Sequence, residues 1–194
     1  KRIKFLFKIF FRSQIFNKSL MKKKPTIALV AITASTINSF MLRHIKALSR
    51  DYKLLVFCNE TSLIKNKIPK DVLLTNINFK RKLNLIIDFI SFLTLLYFFL
   101  KYKPNLTISI TPKAGLMTAL SSFIARVSYR IHYFTGQTWV TKKGFIRLIY
   151  KTSDQIIFNL SHHVLIDSHS QKNFLISNNI VSQKRSSVLF HGSV

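Results

Sequence analysis

Three short polar clusters in this 194-residue chain carry side chains suited to phosphates and sugars. In Thr111-Pro112-Lys113-Ala114-Gly115, Lys113 offers a cation for a phosphate or sugar, and Thr111 adds a hydroxyl. Gly115 lacks a side chain, which permits close approach to the backbone. In Thr135–Trp139, Gly136 gives a flexible backbone, Gln137 and Thr138 give hydrogen-bond donors, and Trp139 gives an aromatic face that can stack on a sugar. Ser35, Thr36 and Asn38 could reach a ligand, but the same residue types cap helices, and capping is the favoured reading. His169 and the trio His191, Gly192 and Ser193 complete the candidates. Plainer readings compete: Lys113 as a solvated turn lysine, and Trp139 as packing for its loop.

Several chemistries are excluded. The four glycines, Gly115, Gly136, Gly144 and Gly192, are too far apart for a phosphate-binding P-loop or a dinucleotide fingerprint. No histidines have the spacing of a zinc site, so no metal is expected. His44 and His132 read as core or rim, and His162 and His163 as surface or packing. Cys58 ends an apolar run and reads as a packed thiol rather than a nucleophile. No Ser-His-Asp arrangement is recognisable, and no catalytic residue is assigned.

The candidates fall at the ends of apolar runs. Thr26–Thr33 is continuous and rich in β-branched residues, as expected of a central parallel strand. Further strands are expected over Tyr52–Cys58, Asp71–Asn76, Asn105–Ile110, Tyr129–Phe134, His163–Ile166 and Ser187–Phe190. Helices are expected from Phe40, over Leu85–Leu100, Leu116–Val127 and Gly144–Leu160, and from a Ser168 cap to about Asn178. Ala34–Asn38 and Thr111–Gly115 read as loops. Alternating strands and helices predict an α/β fold, a Rossmann-like parallel sheet with helices on both faces. Ligands of such sheets sit outside the carboxyl ends of the strands, where all the candidate residues lie.

Lys and Arg total 31 against six acids, a formal charge of +25, which points to an anionic partner. A/T-rich codon usage would account for part of the lysine excess. Residues 1–24 hold nine basic residues and no acid. Met21 opens an ordinary-looking start, so residues 1–20 read as upstream translated sequence outside the native protein or as a basic amphipathic extension, with a working membrane anchor as the lesser reading. The abrupt His191-Gly192-Ser193-Val194 ending reads as a cut in something longer. Leu85–Leu100 is very apolar, but Asp88 leaves only the short run Phe89–Leu100 free of charge, less than a span requires. It is expected to lie against the sheet or dip into a membrane surface.

Four segments resemble the amino-terminal domain of family 4 glycosyltransferases, two-domain enzymes of the GT-B architecture. They are FMLRHIKALS (Phe40–Ser49), KPNLTISITPKAG (Lys103–Gly115), YRIHYFTGQTWVTKKG (Tyr129–Gly144) and His163–Leu175 continuing to Gly192-Ser193. TPKAG followed by FTGQTW carries most of the match. The resemblance covers roughly residues 21–194 and implies the acceptor-side half of a retaining enzyme. That enzyme would move sugar from a nucleotide-sugar to a lipid-linked surface-polysaccharide precursor. It implies no cofactor beyond the nucleotide-sugar as donor substrate, and a cytoplasmic, peripheral place at the inner face of the bacterial plasma membrane. The family's E-x7-E pair belongs to its second domain; here the one glutamate, Glu60, stands elsewhere. Two alternatives remain open: a basic nucleic-acid-binding module, disfavoured because no such motif appears, and a small membrane-associated protein.

Overall fold

The computed structural model describes residues 24–80, 82 and 84–189. The extension and His191, Gly192 and Ser193 lie outside the described residues.

Seven strands form one parallel sheet: β1 (Thr26–Thr33), β2 (Lys53–Asn59), β3 (Leu73–Asn76), β4 (Leu106–Ile110), β5 (Tyr129–Phe134), β6 (His163–Ile166) and β7 (Ser186–Val188). Their order is β3-β2-β1-β4-β5-β6-β7. The chain runs outward from β1 to β3 and then returns to β4, on β1's other side. The β1/β4 boundary is therefore the topological switch point, where a crevice opens outside the strand ends.

β1 shows why the sheet must be covered on both faces. Ile27, Leu29 and Ala31 join one buried cluster, and Ala28 and Val30 the other. Side chains alternate along a strand, so a strand apolar at successive positions needs two apolar layers. A register shift between Val30 and Thr33 against β2 turns the end of β1 at the switch point.

One face carries a continuous helical segment: α1 (Ala34–Thr36), a π-helical stretch (Ile37–Met41) and α2 (Leu42–Leu48). Ile37, Met41, Ile45 and Leu48 bury against Leu54, Val56 and Ile108. The expected loop at Ala34–Asn38 is thus helical. Its cap is Thr33, one residue before the segment read as a loop, whose side chain accepts the Thr36 N–H.

The other face carries α3 (Leu85–Tyr102), α4 (Pro112–Ile124), α5 (Gly144–Leu160) and α6 (His169–Ser177). Ser168 caps α6 as expected, accepting the Gln171 N–H. Helix α4 begins earlier than the sequence predicted. Thr111 turns the chain at φ 76°, and Pro112 starts the helix at once, where its missing N–H costs nothing. The expected turn Thr111–Gly115 is therefore the helix's first turn.

Helix α3 is capped by Asn84, which accepts the Ile87 N–H at 3.0 Å, while Asp88 accepts the Asn84 N–H at 3.1 Å. Its Ser91, Leu95 and Phe99 are buried, and Phe99 packs edge-on to Phe57 of β2. By length and composition α3 could cross a membrane, yet this face is committed to the sheet.

Candidate functional site

The switch point gathers the end of β1 and the starts of α1 and α4. Thr33 Oγ1 lies 3.1 Å from Thr36 Oγ1 and accepts the Thr36 amide at 3.3 Å, so capping occupies Thr36. Ser35 is exposed on the same turn. Asn38 is exposed, but its side-chain oxygen accepts from Lys67 Nζ at 3.2 Å. Across the crevice, Thr111 stands in a backbone region that side chains disfavour, at a cost of about 1–3 kcal/mol. Its Oγ1 is buried and has no hydrogen-bond partner among the described residues. The first N–H groups of α4 open at the same place, where a helix favours negative charge.

Two residues of the TPKAG segment face elsewhere than expected. Lys113 does not reach into the crevice. Its ammonium lies 2.7 Å from Asp88 Oδ1 and donates to the carbonyls of Lys80 and Lys82, both at 2.7 Å. All three of its protons are engaged in holding the start of α3, which contradicts both the ligand role and the solvated-turn reading. Gly115 is buried inside the fold and lets no ligand approach. A Cβ there would stand 2.5 Å from His132 Cε1 and 2.8 Å from His132 Nδ1. The glycine is needed so that α4 can pack on β5.

His132 is core, as its strand position implied. Its Nδ1 is 2.9 Å from Ser109 Oγ, and burial pushes its pKa down to about 3. His163 is also buried, inside β6, with Nε2 2.8 Å from Ser187 Oγ and its pKa lowered to about 4 by desolvation and then by Lys172. Cys58 is packed, and burial raises its thiol to about 12.

A second polar group lies at the ends of β5 and β6. Gly136 sits at φ 152° with open space where a side chain would be. Gln137 accepts from Gln171 Nε2 at 3.3 Å, and its own Nε2 is buried without a partner among the described residues. Gln171 Oε1 in turn accepts the Asp167 N–H at 3.1 Å. The Tyr133 hydroxyl donates to the Asp167 carboxylate. Sequence reading missed Tyr133 and Gln171, because partners 34 residues apart leave no local signal. Thr138 and His169 are exposed on this edge.

Trp139 is fully buried and offers no sugar platform. Phe174 stacks on it at 5.4 Å, and the Arg147 and Lys151 cations lie 5.6 and 5.5 Å from its ring. Its indole N–H donates to Asp154 Oδ2 at 2.8 Å. Burial raises Asp154 to about 7, against the opposing effect of that hydrogen bond. An aromatic in a short, mostly polar stretch has the same sequence signature whether it faces a ligand or the core.

The seven-stranded parallel sheet, its switch point and its helical layers form an α/β, Rossmann-like domain that matches one half of GT-B folds. The chain is 32% identical over 114 residues to the capsular polysaccharide biosynthesis glycosyltransferase CapM of Staphylococcus aureus, a match covering 59% of this chain and 30% of that protein. Among solved structures, UDP-GlcNAc 2-epimerase from Methanocaldococcus jannaschii aligns with TM-score 0.60 at 14% identity, over 84% of this chain and 45% of that one. Anabaena Alr3699/HepE in complex with UDP aligns with TM-score 0.61 at 15% identity, over 86% and 44%. No family model matches. The chain thus spans about a third of its curated relative and less than half of these solved chains.

Proposed function

We propose that this chain is the acceptor-binding, amino-terminal half of a retaining, family 4-type glycosyltransferase. The sugar would pass from a nucleotide-sugar to a lipid-linked surface-polysaccharide precursor at the cytoplasmic face of the plasma membrane. The similarity to CapM carries the reading. The switch point between β1 and β4 supports it, because ligands of such sheets bind outside the strand ends there.

In this reading the acceptor's hydroxyl and its diphosphate-bearing end lie along the crevice between Thr33, Ser35 and Thr111. Ser35 and the Thr111 hydroxyl hydrogen-bond the acceptor, and the start of α4 offers N–H groups to its negative charge. The Gly136–Gln137 edge, with its unpartnered amide, receives the saccharide. Orienting the hydroxyl toward the anomeric carbon converts an encounter into a positioned reaction. The acceptor oxygen forms the new bond to that carbon as the bond to the nucleotide diphosphate breaks. The hydroxyl proton leaves with the departing diphosphate. A partner domain, as the family resemblance implies, would hold the nucleotide and stabilise that departing charge.

The test is binding and turnover of the 194-residue chain with a polyprenyl-diphosphate saccharide and a panel of nucleotide-sugars. Acceptor binding without sugar transfer is expected. Transfer by the chain alone would contradict the division of labour proposed.

A further inference from the structure

We infer that Gln171 sets the direction of the Gln137 side-chain amide, and that the N–H pair this leaves outward selects a sugar carrying an acyl carbonyl, as an acetamido sugar does. The inference deepens the acceptor reading above and rests on it for the presence of a saccharide at this edge.

The direction follows from donors and acceptors alone. The Asp167 backbone N–H can only donate, and it lies 3.1 Å from Gln171 Oε1. That contact fixes which end of the Gln171 amide faces Asp167, so its Nε2 is the end that reaches Gln137. There it donates to Gln137 Oε1 at 3.3 Å. Turning over either amide, or both, sets donor against donor. Gln137 Nε2 is therefore the end of a directed relay. It is buried and has no acceptor among the described residues. A buried donor without an acceptor is costly, and a ligand that supplies an acceptor relieves the cost. Both glutamines stand on firm supports. Gln171 is in the first turn of α6, where Ser168 Oγ accepts its backbone N–H at 3.2 Å. Gln137 precedes the 3-10 turn Thr138–Thr141, whose buried Trp139 stacks on Phe174 of α6 at 5.4 Å. That stack ties the two segments together from beneath.

The surroundings select what the donor meets. Asp167 stands at the same strand end, its carboxylate accepting from the Tyr133 hydroxyl. Its negative charge disfavours a ligand carboxylate. An acyl carbonyl accepts without bringing a charge or a proton of its own. Gly136 leaves open space where a side chain would stand, which admits an acetyl group. A sugar hydroxyl can also accept, but it can turn and donate instead, so it meets either direction of the amide. A carbonyl meets only one. The relay thus distinguishes the two groups through the direction that Gln171 imposes.

The experiment compares polyprenyl-diphosphate N-acetylglucosamine with polyprenyl-diphosphate glucose, each in mixed micelles with the full chain. The two probes differ in an acetamido group against a hydroxyl. The wild type should bind the acetamido probe at least about tenfold more tightly. Gln171→Glu keeps an acceptor for the Asp167 N–H and sets a second acceptor opposite Gln137. The Gln137 amide should then turn over and present its oxygen. Binding of the acetamido probe should fall at least about tenfold, with the glucose probe little changed. Gln137→Glu removes the donor while leaving an acceptor for Gln171, and should have the same effect. Melting temperatures show that both variants fold. Equal binding of the two probes by the wild type overturns the inference, with no variant needed. So does a preference that survives in a folded variant, or an equal fall for both probes, which marks a merely structural role. Each of these outcomes leaves the acceptor reading standing. Binding of neither probe by the folded wild type contradicts the acceptor reading, and the inference with it.

Discussion

Lys113 Nζ lies 2.7 Å from Asp88 Oδ1, and the same ammonium donates to the carbonyls of Lys80 and Lys82. One side chain thus ties the first turn of α4 to the first turn of α3 and to the loop before it. Lys113→Met leaves a mostly buried Asp88 and two carbonyls without this partner. The expected loss is about 1–3 kcal/mol in urea unfolding, with a coupling to Asp88→Asn in a double-mutant cycle. Additive single variants would show that the contact contributes nothing.

Gly115 and His132 give a steric prediction. Gly115→Ala gains about 1 kcal/mol of helix propensity, but its Cβ would stand 2.5 Å from the His132 ring. Overpacking costs about 1–3 kcal/mol, so the variant should be destabilised on balance. In a His132→Ala background the same change should be neutral or stabilising. Thermal melts of the four proteins check this.

Stability should depend on pH through three buried groups. The folded-state pKa values of His132 and His163 are lowered to about 3 and 4. Their contribution is present above about pH 6.5 and is lost as pH falls toward those values. Asp154 is raised to about 7, so its contribution is present below about pH 4 and is lost as pH rises through 7. Between pH 4 and 6.5 the two histidines outweigh the one acid. Stability should rise with pH there, and His44 and His162, whose pKa values burial also lowers, act in the same direction. Asp154→Asn keeps an acceptor for the Trp139 N–H and removes the opposing group, which should steepen that rise. An unchanged slope would contradict the assignment.

Thr111 separates stability from function. Thr111→Gly relieves the positive φ and should stabilise the fold by about 1 kcal/mol. It also deletes the unpartnered hydroxyl at the crevice, so acceptor binding should weaken while the melting temperature rises. Both moving in the same direction would place the hydroxyl in the fold rather than the site.

The architecture was legible because it depends on local patterns. The β-branched run at Thr26–Thr33, the Ser168 cap and the apolar repeat of Leu85–Leu100 each announce an element within a few residues. Boundaries at the strand ends were not legible: Thr33 rather than a later residue caps α1, and Pro112 starts α4 directly after a strained Thr111. The strand ends at the switch point were correctly located, but the segments that follow them are helical rather than loops, and side-chain directions were not legible. Lys113, Gly115 and Trp139 have the right chemistry for a ligand and are engaged with Asp88, His132 and Asp154 instead. Those partners lie outside each local segment, where residue type and spacing carry no signal.

The central claim is that the switch-point crevice binds the acceptor. The most direct measurement is equilibrium binding of a polyprenyl-diphosphate saccharide in mixed micelles to the wild-type chain and to Ser35→Trp. Residue 35 is exposed, so the indole should fill the crevice without disturbing the fold. Saturable wild-type binding, weakened at least about tenfold (~1.4 kcal/mol) by Ser35→Trp at unchanged melting temperature, is the predicted result. Equal binding by both proteins, or none by the folded wild type, would contradict it.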